Sequence, residues 1–134
     1  MKKLISAITV LVLLVSITNN VYAVEPRYNN ASDLQVELEI DASGLANVTL
    51  KVRSEVSLEE IEITVYLQRK VSGTWSRVSI GTANDVWEYT TTGSTVKKTF
   101  STQISRAGTY RAVATFNLRG ETLETVTLTA TDTY

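Results

Sequence analysis

The sequence predicts an all-β domain, an antiparallel β-sandwich of about seven or eight strands without a disulfide. Three observations carry this prediction. From residue 33 to the end of the chain, apolar and polar side chains alternate with a period of two, and no helical stripe of useful length interrupts them. Turn-forming residues recur at roughly ten-residue spacing, as a sandwich requires. The chain contains no cysteine, so packing alone must stabilise the domain.

The amino terminus has the pattern of a secretory signal peptide. Two lysines in the first three residues precede an uncharged apolar run over residues 4–17. As a helix this run would rise only about 21 Å, short of the roughly 30 Å hydrocarbon layer, so we expect a cleaved leader instead of a retained anchor. Val21 and Ala23 have side chains small enough for the two positions that a signal peptidase inspects, which favours cleavage after Ala23. The predicted organisation is a signal peptide at 1–23, a flexible lead at 24–32 and one domain at 33–134.

Charge and leader type indicate where the chain acts. Without the leader, 11 of the 13 basic residues remain against 14 acidic ones, and the net charge becomes −3. Such a surface offers nucleic acid no electrostatic attraction. A short leader with two lysines on a cysteine-free domain is typical of exported proteins of Gram-positive bacteria. We therefore expect a secreted, extracellular protein, released or loosely associated with the wall, with no stable membrane span after cleavage.

The first part of the domain is predicted to be an amphipathic hairpin. Residues 33–41 alternate apolar and mostly acidic side chains, and Asp41-Ala42-Ser43-Gly44 forms a turn. The second strand, at 48–53, has basic side chains on its outer face. We expect these basic groups opposite Glu37 and Glu39, because opposed charges across strands stabilise a hairpin.

The remaining strands are short and are separated by polar segments. A polar connection at 54–59 leads into them. The predicted strands lie at 60–68, 75–80, 86–91, 96–104, 109–117 and 125–133, and the turns between them include 71–74, 92–94 and 119–120. Alternate residues of the strand at 109–117 are expected to face the core: Tyr110, Ala112, Ala114 and Phe116. The threonine row of the last strand is expected on its solvent face, where a β-branched residue is favourable.

One segment resembles a known structural motif. Residues 106–112, with the sequence Arg-Ala-Gly-Thr-Tyr-Arg-Ala, resemble the "A-G-x-Y-x-C" corner of immunoglobulin-like domains. The resemblance implies that Tyr110, two residues after Gly108, hydrogen-bonds back to the chain before its strand. It also implies that Ala112 replaces the second cysteine of such domains. The chain is thus similar to bacterial immunoglobulin-like or fibronectin-type modules, and its segment 65–75 is similar to a hairpin of small uncharacterised secreted proteins of Gram-positive bacteria.

The residue inventory excludes most enzyme chemistry. Without histidine or cysteine, the chain has no His-based proton shuttle, no Ser-His-Asp or Cys-His site and no ordinary zinc set. Calcium ligands are too sparse, and no nucleotide-binding loop is present, so no metal or cofactor is expected. The remaining enzyme hypothesis is a small glycosidase, which would use two of several carboxylates on outer strand faces: Glu37, Glu39, Glu59, Glu60 and Glu62.

Aromatic side chains supply the candidate binding site. Trp87 and Tyr89 share one strand face about 7 Å apart, and Tyr66 alternates with the core residues of its strand. Flat rings of this kind stack on sugars, so these three are the candidate ligand-binding residues. The alternative is that Trp75 and Trp87 cover the open edges of a small core.

These observations predict a secreted, non-enzymatic binding or interaction domain. Its partner would be an unknown protein or a cell-envelope glycan. The runner-up is a carbohydrate-binding module that stacks sugars on the three rings, and the glycosidase is the third candidate. The sequence leaves the oligomeric state open.

Overall fold

Residues 28–134 are described by a computed structural model in which every strand pairs antiparallel with its neighbours. The strands are β1 (Asp33–Ile40), β2 (Leu45–Val71), β3 (Thr74–Arg77), β4 (Trp87–Gln103), β5 (Thr109–Arg119) and β6 (Leu123–Thr133), with a short 3-10 turn at Ala83–Asp85. The predicted all-β class is therefore correct. The predicted signal peptide and residues 24–27 of the predicted lead lie outside the described residues. Within 28–134, no helix has the length and apolar character to span a membrane.

Residues 28–134 form six strands, not seven or eight, because two pairs of predicted strands are continuous. Residues 48–53 and 60–68 both belong to β2, and the segment between them, predicted as a connection, stays extended. Ser54 and Leu58 are buried there, while the residues between them are exposed. β4 likewise runs through the predicted turn at 92–94. Solvent-facing polar residues in a continuous strand therefore resemble a loop in sequence.

The long strand β2 forms the spine of the sheet. One of its edges pairs with β4 from Leu45 to Val65 and then with β3. Its other edge pairs with β1 along the first half and with β5 along the second. β6 completes the sheet beside β5. Because β4 pairs only along its β2 side in the described part of the chain, its other edge is open.

The sheet curls so that its two ends face each other. The register between β2 and β4 shifts between Arg53 and Leu58 and again between Leu58 and Ile61, and such irregularities bend strands. As a result, Trp87 and Phe100, from opposite halves of β4, stack with ring centroids 5.3 Å apart. β1 and β6 also contact each other. Residues 28–134 thus form one curled sheet, and the two-layer sandwich that the sequence predicts is not confirmed.

The core lies inside the curl. Its largest fully buried side chains come from β2 and β5: Val48, Leu50, Val52, Leu58, Ile61, Ile63, Val65, Leu67, Phe116 and Leu118. The predicted inward residues of β5, at alternate positions from 110 to 116, are all 2% exposed or less. Complete burial of one large aliphatic or aromatic side chain contributes about 1.5–3 kcal/mol. This core therefore stabilises the domain without a disulfide.

Residues 28–32, predicted as the end of a flexible lead, are packed on the domain. The side-chain amide of Asn30 donates to the carbonyls of Leu118 and Thr122, both at 2.8 Å. Its backbone N–H donates to Glu124 Oε1 at 3.0 Å, and its carbonyl accepts from Ser54 Oγ at 2.8 Å. One asparagine therefore ties the lead to the bend in β2 and to the turn between β5 and β6.

The hairpin of β1 and β2 has the predicted turn but a different pairing of charges. The register places Glu37 and Glu39 opposite uncharged residues, not opposite basic ones as predicted. The opposed charges are Asp33 and Arg53 instead. The turn at 41–44 fixes this register, and the alternation of side chains alone does not show it.

Asp41 organises that turn. Its Oδ1 accepts hydrogen bonds from the Ser43 hydroxyl at 2.6 Å, the Ser43 N–H at 2.9 Å and the Leu45 N–H at 3.0 Å. These donors, the Ser43 hydroxyl first and the Leu45 N–H next, hold the pKa of Asp41 below its ordinary value. The ionised carboxylate is therefore the form that the folded turn favours.

Asp41→Asn is expected to lower the thermal unfolding midpoint at neutral pH and to have a smaller effect in acid. A carboxyl whose pKa is lowered by folding stabilises the native state above its unfolded pKa of about 3.9. That contribution is lost as the pH falls through the lower folded pKa. Unfolding midpoints of both proteins from about pH 7 to about pH 2 measure the difference. A difference that is the same across this range would contradict the assignment.

Candidate functional site

Trp87, a member of the predicted ring platform, lies in the core. It is 8% exposed, and its ring is parallel to that of Phe100 within 3°. In the sheet it lies opposite Val65, which is fully buried. A ring in this position has no free face for a sugar. The prediction of Trp87 as a stacking residue is therefore corrected: its ring covers the core.

The other two predicted rings lie on opposite faces of the sheet. Tyr89 shares the inner face with Trp87, and Lys98 Nζ lies 4.8 Å from the centre of the Tyr89 ring. Tyr66 alternates with fully buried residues of β2 and projects from the outer face. The structure thus does not bring the three predicted residues together as one platform.

On the outer face, arginine side chains stack on two half-buried rings. Arg77 of β3 lies over Tyr66, with Cζ 3.7 Å from the ring centre, and Arg111 of β5 lies over Trp75 at 4.3 Å. Arg111 Nε also donates to Gln68 Oε1 at 2.6 Å. We call these five residues, Tyr66, Gln68, Trp75, Arg77 and Arg111, the cation–ring face.

The register of three strands assembles this face. Gln68 of β2 lies opposite Arg77 of β3 on one edge and opposite Arg111 of β5 on the other. The two arginines therefore occupy one row of the sheet, with Tyr66 in a neighbouring row. Val113, opposite Tyr66, is only 6% exposed although it does not point into the curl. Val113 is thus covered by its neighbours, although it lies beside the outer surface.

The cation–ring face is basic as well as aromatic. Arg77 is exposed and Arg111 half-buried, and Lys70 Nζ lies 5.9 Å from the centre of the Trp75 ring. Each cation–ring contact contributes about 0.5–1 kcal/mol at a site of this exposure. The sequence indicated Tyr66 but not Arg77 or Arg111, because only the strand register places Arg77 over Tyr66 and Arg111 over Trp75.

Tyr110 makes the hydrogen bond that the immunoglobulin-like corner implies. Its hydroxyl donates to the carbonyl of Arg106 at 2.6 Å, and its side chain is 2% exposed. Gly108, at φ +146°, exchanges two backbone hydrogen bonds with Tyr134, at 3.0 and 2.9 Å. The corner therefore fixes the chain before β5 and joins it to the end of the chain after β6.

Tyr110→Phe is expected to lower the free energy of unfolding by about 1 kcal/mol or somewhat more. The change keeps the buried ring but removes the donor to the Arg106 carbonyl, and a single hydrogen bond has about this net value. Urea denaturation of both proteins measures the effect as a lower midpoint with an unchanged slope. An unchanged midpoint would show that this bond adds nothing to the fold.

Comparisons with known proteins identify no family. No family model matches the chain, and no curated protein matches it. A solved structure, the CARDB domain of the PF1109 protein from Pyrococcus furiosus in complex with di-metal ions, is similar at 18% identity, with 85% of this chain and 97% of that chain covered and a TM-score of 0.44. This likeness is too low to transfer the metal ions of that domain. Within 28–134, no group of three or more His, Cys, Asp or Glu side chains is placed to hold a metal ion.

Proposed function

We propose that this chain is a secreted, non-enzymatic domain of immunoglobulin-like type that binds a protein partner outside the cell through the cation–ring face. The observation that carries the proposal is the stacking of Arg77 on Tyr66 and of Arg111 on Trp75. Arginine, tryptophan and tyrosine contribute most of the binding energy at many protein interfaces. Side chains that are ordered before binding lose less conformational entropy when a partner docks.

The charge of this face favours an acidic partner. Lys70, Arg77 and Arg111 lie beside the two rings, although the whole chain has a net charge of −1. A local group of cations on an acidic protein attracts carboxylates and orients the encounter with them. The proposed partner therefore presents Asp and Glu side chains that contact the stacked Arg77 and Arg111.

Export and domain type rest on separate observations. The basic and apolar pattern of residues 1–23 supports export through a signal peptide. The hydrogen bond of Tyr110 to Arg106 supports the immunoglobulin-like type. The absence of histidine and cysteine from the whole sequence supports a non-enzymatic role, because the commonest acid–base and nucleophilic groups are missing.

The geometry does not favour the carbohydrate-binding alternative. Sugars stack on free ring faces, whereas Trp87 is buried against Phe100 and Tyr66 is covered by Arg77. Lys98 lies over Tyr89 in the same way. A sugar would have to displace a cation from each of these tyrosines, so a protein surface is the better match.

Affinity capture tests the proposal. Residues 24–134, immobilised, are exposed to the producer's cell envelope and culture supernatant at about 150 mM salt, and the retained material is identified by mass spectrometry of protein and sugar. We expect a retained acidic protein. Trp75→Ala and Arg111→Gln should each reduce its retention about tenfold or more, because truncation of an interface hot spot costs about 2 kcal/mol or more.

Arg53→Gln is the matched control, because Arg53 is an exposed arginine on the other half of β2. Its retention of the partner should equal that of the unchanged protein. Equal retention by the Trp75 and Arg111 variants would contradict the proposed binding surface. Retention of glycan without protein would contradict the proposed class of partner.

A further inference from the structure

A cavity of about 330 Å³ lies at the end of the sheet where β3, the end of β4 and the start of β5 meet. It shares Arg77 with the cation–ring face, and its other lining residues include Arg69, Val78, Ile104 and Tyr110. The volume is at the lower end of the range for small-molecule sites.

The lining of this cavity is basic and hydroxyl-rich. Arg69, Arg77 and Arg106 contribute to it, together with Ser76 and Ser105. None of the described residues that line it carries a carboxyl group. The carboxylate of Asp85 lies just outside the lining and accepts from Ser79 Oγ and from the Ile80 N–H, both at 3.2 Å. An anion in the cavity would therefore meet guanidinium groups and hydroxyl donors without a facing acid.

Arg69 is held in place before any ligand arrives. Its Nε donates to the carbonyl of Ala107 at 3.1 Å, which leaves the two terminal nitrogens of the guanidinium for other contacts. The side chain also packs on Gly108, where an added Cβ would lie 3.0 Å from Arg69 Nε. The bond from Tyr110 to the carbonyl of Arg106 fixes the adjacent backbone. Arg77 is oriented differently, since its guanidinium stacks on Tyr66.

From these observations we propose that the cavity binds a small organic anion of about monosaccharide size, with Arg69 and Arg106 contacting its charged group. Guanidinium groups form charge-assisted, two-point hydrogen bonds with carboxylate, phosphate and sulfate oxygens. The hydroxyls of Ser76 and Ser105 supply further donors, and the apolar side chains of Val78 and Ile104 contact the body of the ligand. This site goes beyond the proposed protein-binding function and does not depend on it.

Calorimetric titration of residues 24–134 tests the proposal with four probes. These are glucuronate, glucose 1-phosphate, neutral glucose and inorganic phosphate. We expect the two anionic sugars to bind, with an affinity that falls as salt is added, and at least tenfold more tightly than glucose or inorganic phosphate. Binding of glucose as tight as that of glucuronate, or no binding of either anionic sugar at millimolar concentration, would overturn the proposal.

Variants then locate the site. Arg69→Gln and Arg106→Gln should each weaken glucuronate binding about tenfold, because each removes a charge-assisted contact. Arg106 is exposed, so its variant serves as a second test if Arg69→Gln disturbs the fold. Arg119→Gln, at the far end of β5, is the matched control and should bind as the unchanged protein does. Equal affinity of all three variants would overturn the assignment to this cavity.

A short glucuronate-terminated oligosaccharide, titrated beside free glucuronate, distinguishes the two sources of such a group. Tighter binding of the oligosaccharide would indicate an acidic sugar displayed on a glycan. Equal or tighter binding of the free sugar acid would indicate a small free molecule. Both results support an anion site, provided that Arg106→Gln weakens the binding of both ligands about tenfold.

Discussion

Trp87→Ala is expected to lower the free energy of unfolding by about 3–5 kcal/mol, the cost of truncating a large buried aromatic residue. Trp87 is 8% exposed and stacks on Phe100, so the change removes core contacts and leaves a cavity between the two halves of β4. Loss of the stacked pair accounts for about 0.5–1.5 kcal/mol of this effect. Chemical denaturation with a common slope for both proteins measures it.

Trp75→Ala is the matched control, because it truncates the same residue type on the outer face. Trp75 is half-buried and contacts Arg111, so its removal should cost only about 1 kcal/mol or less. The two variants should therefore differ clearly in stability. Equal effects would show that Trp87 does not hold the curled sheet together. A Trp87→Ala protein of unchanged stability would show that this ring is not part of the core.

Gly44→Ala is expected to destabilise the protein by about 2–5 kcal/mol. Gly44 is buried at φ +86°, a conformation that costs an L-residue about 1–2 kcal/mol. A Cβ there would lie 2.5 Å from the carbonyl oxygen of Ile104 and 3.0 Å from the Tyr134 ring. The Ile104 N–H donates to the Gly44 carbonyl at 2.9 Å, so relief of the close contact would move backbone that this hydrogen bond holds in place. Overpacking of this kind adds about 1–3 kcal/mol to the cost.

Gly73→Ala separates the two contributions. Gly73 has nearly the same backbone conformation, at φ +82°, but nothing lies within 4 Å of an added Cβ. Its replacement should cost only the conformational term of about 1–2 kcal/mol. Thermal or urea unfolding of both variants gives the difference. If Gly73→Ala lowered the free energy of unfolding as much as Gly44→Ala, the close approach of Ile104 to Gly44 would contribute nothing to the effect.

The regular strands are predictable because one side chain in two is buried. In β1, β5 and β6, the alternation assigns each residue to the correct face, and the threonines of β6 are exposed as expected. The turn at 71–74 is also correct, with Ser72 and Gly73 at positive φ. These features depend on residues close together in the chain, which a sequence displays directly.

The continuity of β2 and β4 could not be predicted in this way. Glu55, Ser57 and Glu59 lie on an exposed stretch of β2 and have the composition of a loop. The backbone is held there by the bond between Ser54 and Asn30 and by the pairing of Leu58 with Gly93, and both join residues far apart in the chain. The register shifts that accompany the curl lie in the same region, and the alternation of side chains does not display them.

The candidate sites depend on register to a still greater degree. Tyr66 is assigned to the outer face by its position between Val65 and Leu67. Its contact with Arg77, and that of Trp75 with Arg111, follow from how β3 and β5 align on β2. No spacing along the chain indicates these pairs, and the lining of the cavity is dispersed in the same way.

The measurement that tests the cation–ring face most directly uses the fluorescence of the two tryptophans, the only ones in the chain. Trp87→Phe leaves Trp75 as the reporter on the outer face, and Trp75→Phe leaves Trp87 as the reporter in the core. Each protein is titrated with the captured partner. We predict a saturable change in the emission of Trp75 and none in that of Trp87. A change confined to Trp87, or binding that leaves Trp75 unaffected, would contradict the assignment of this surface.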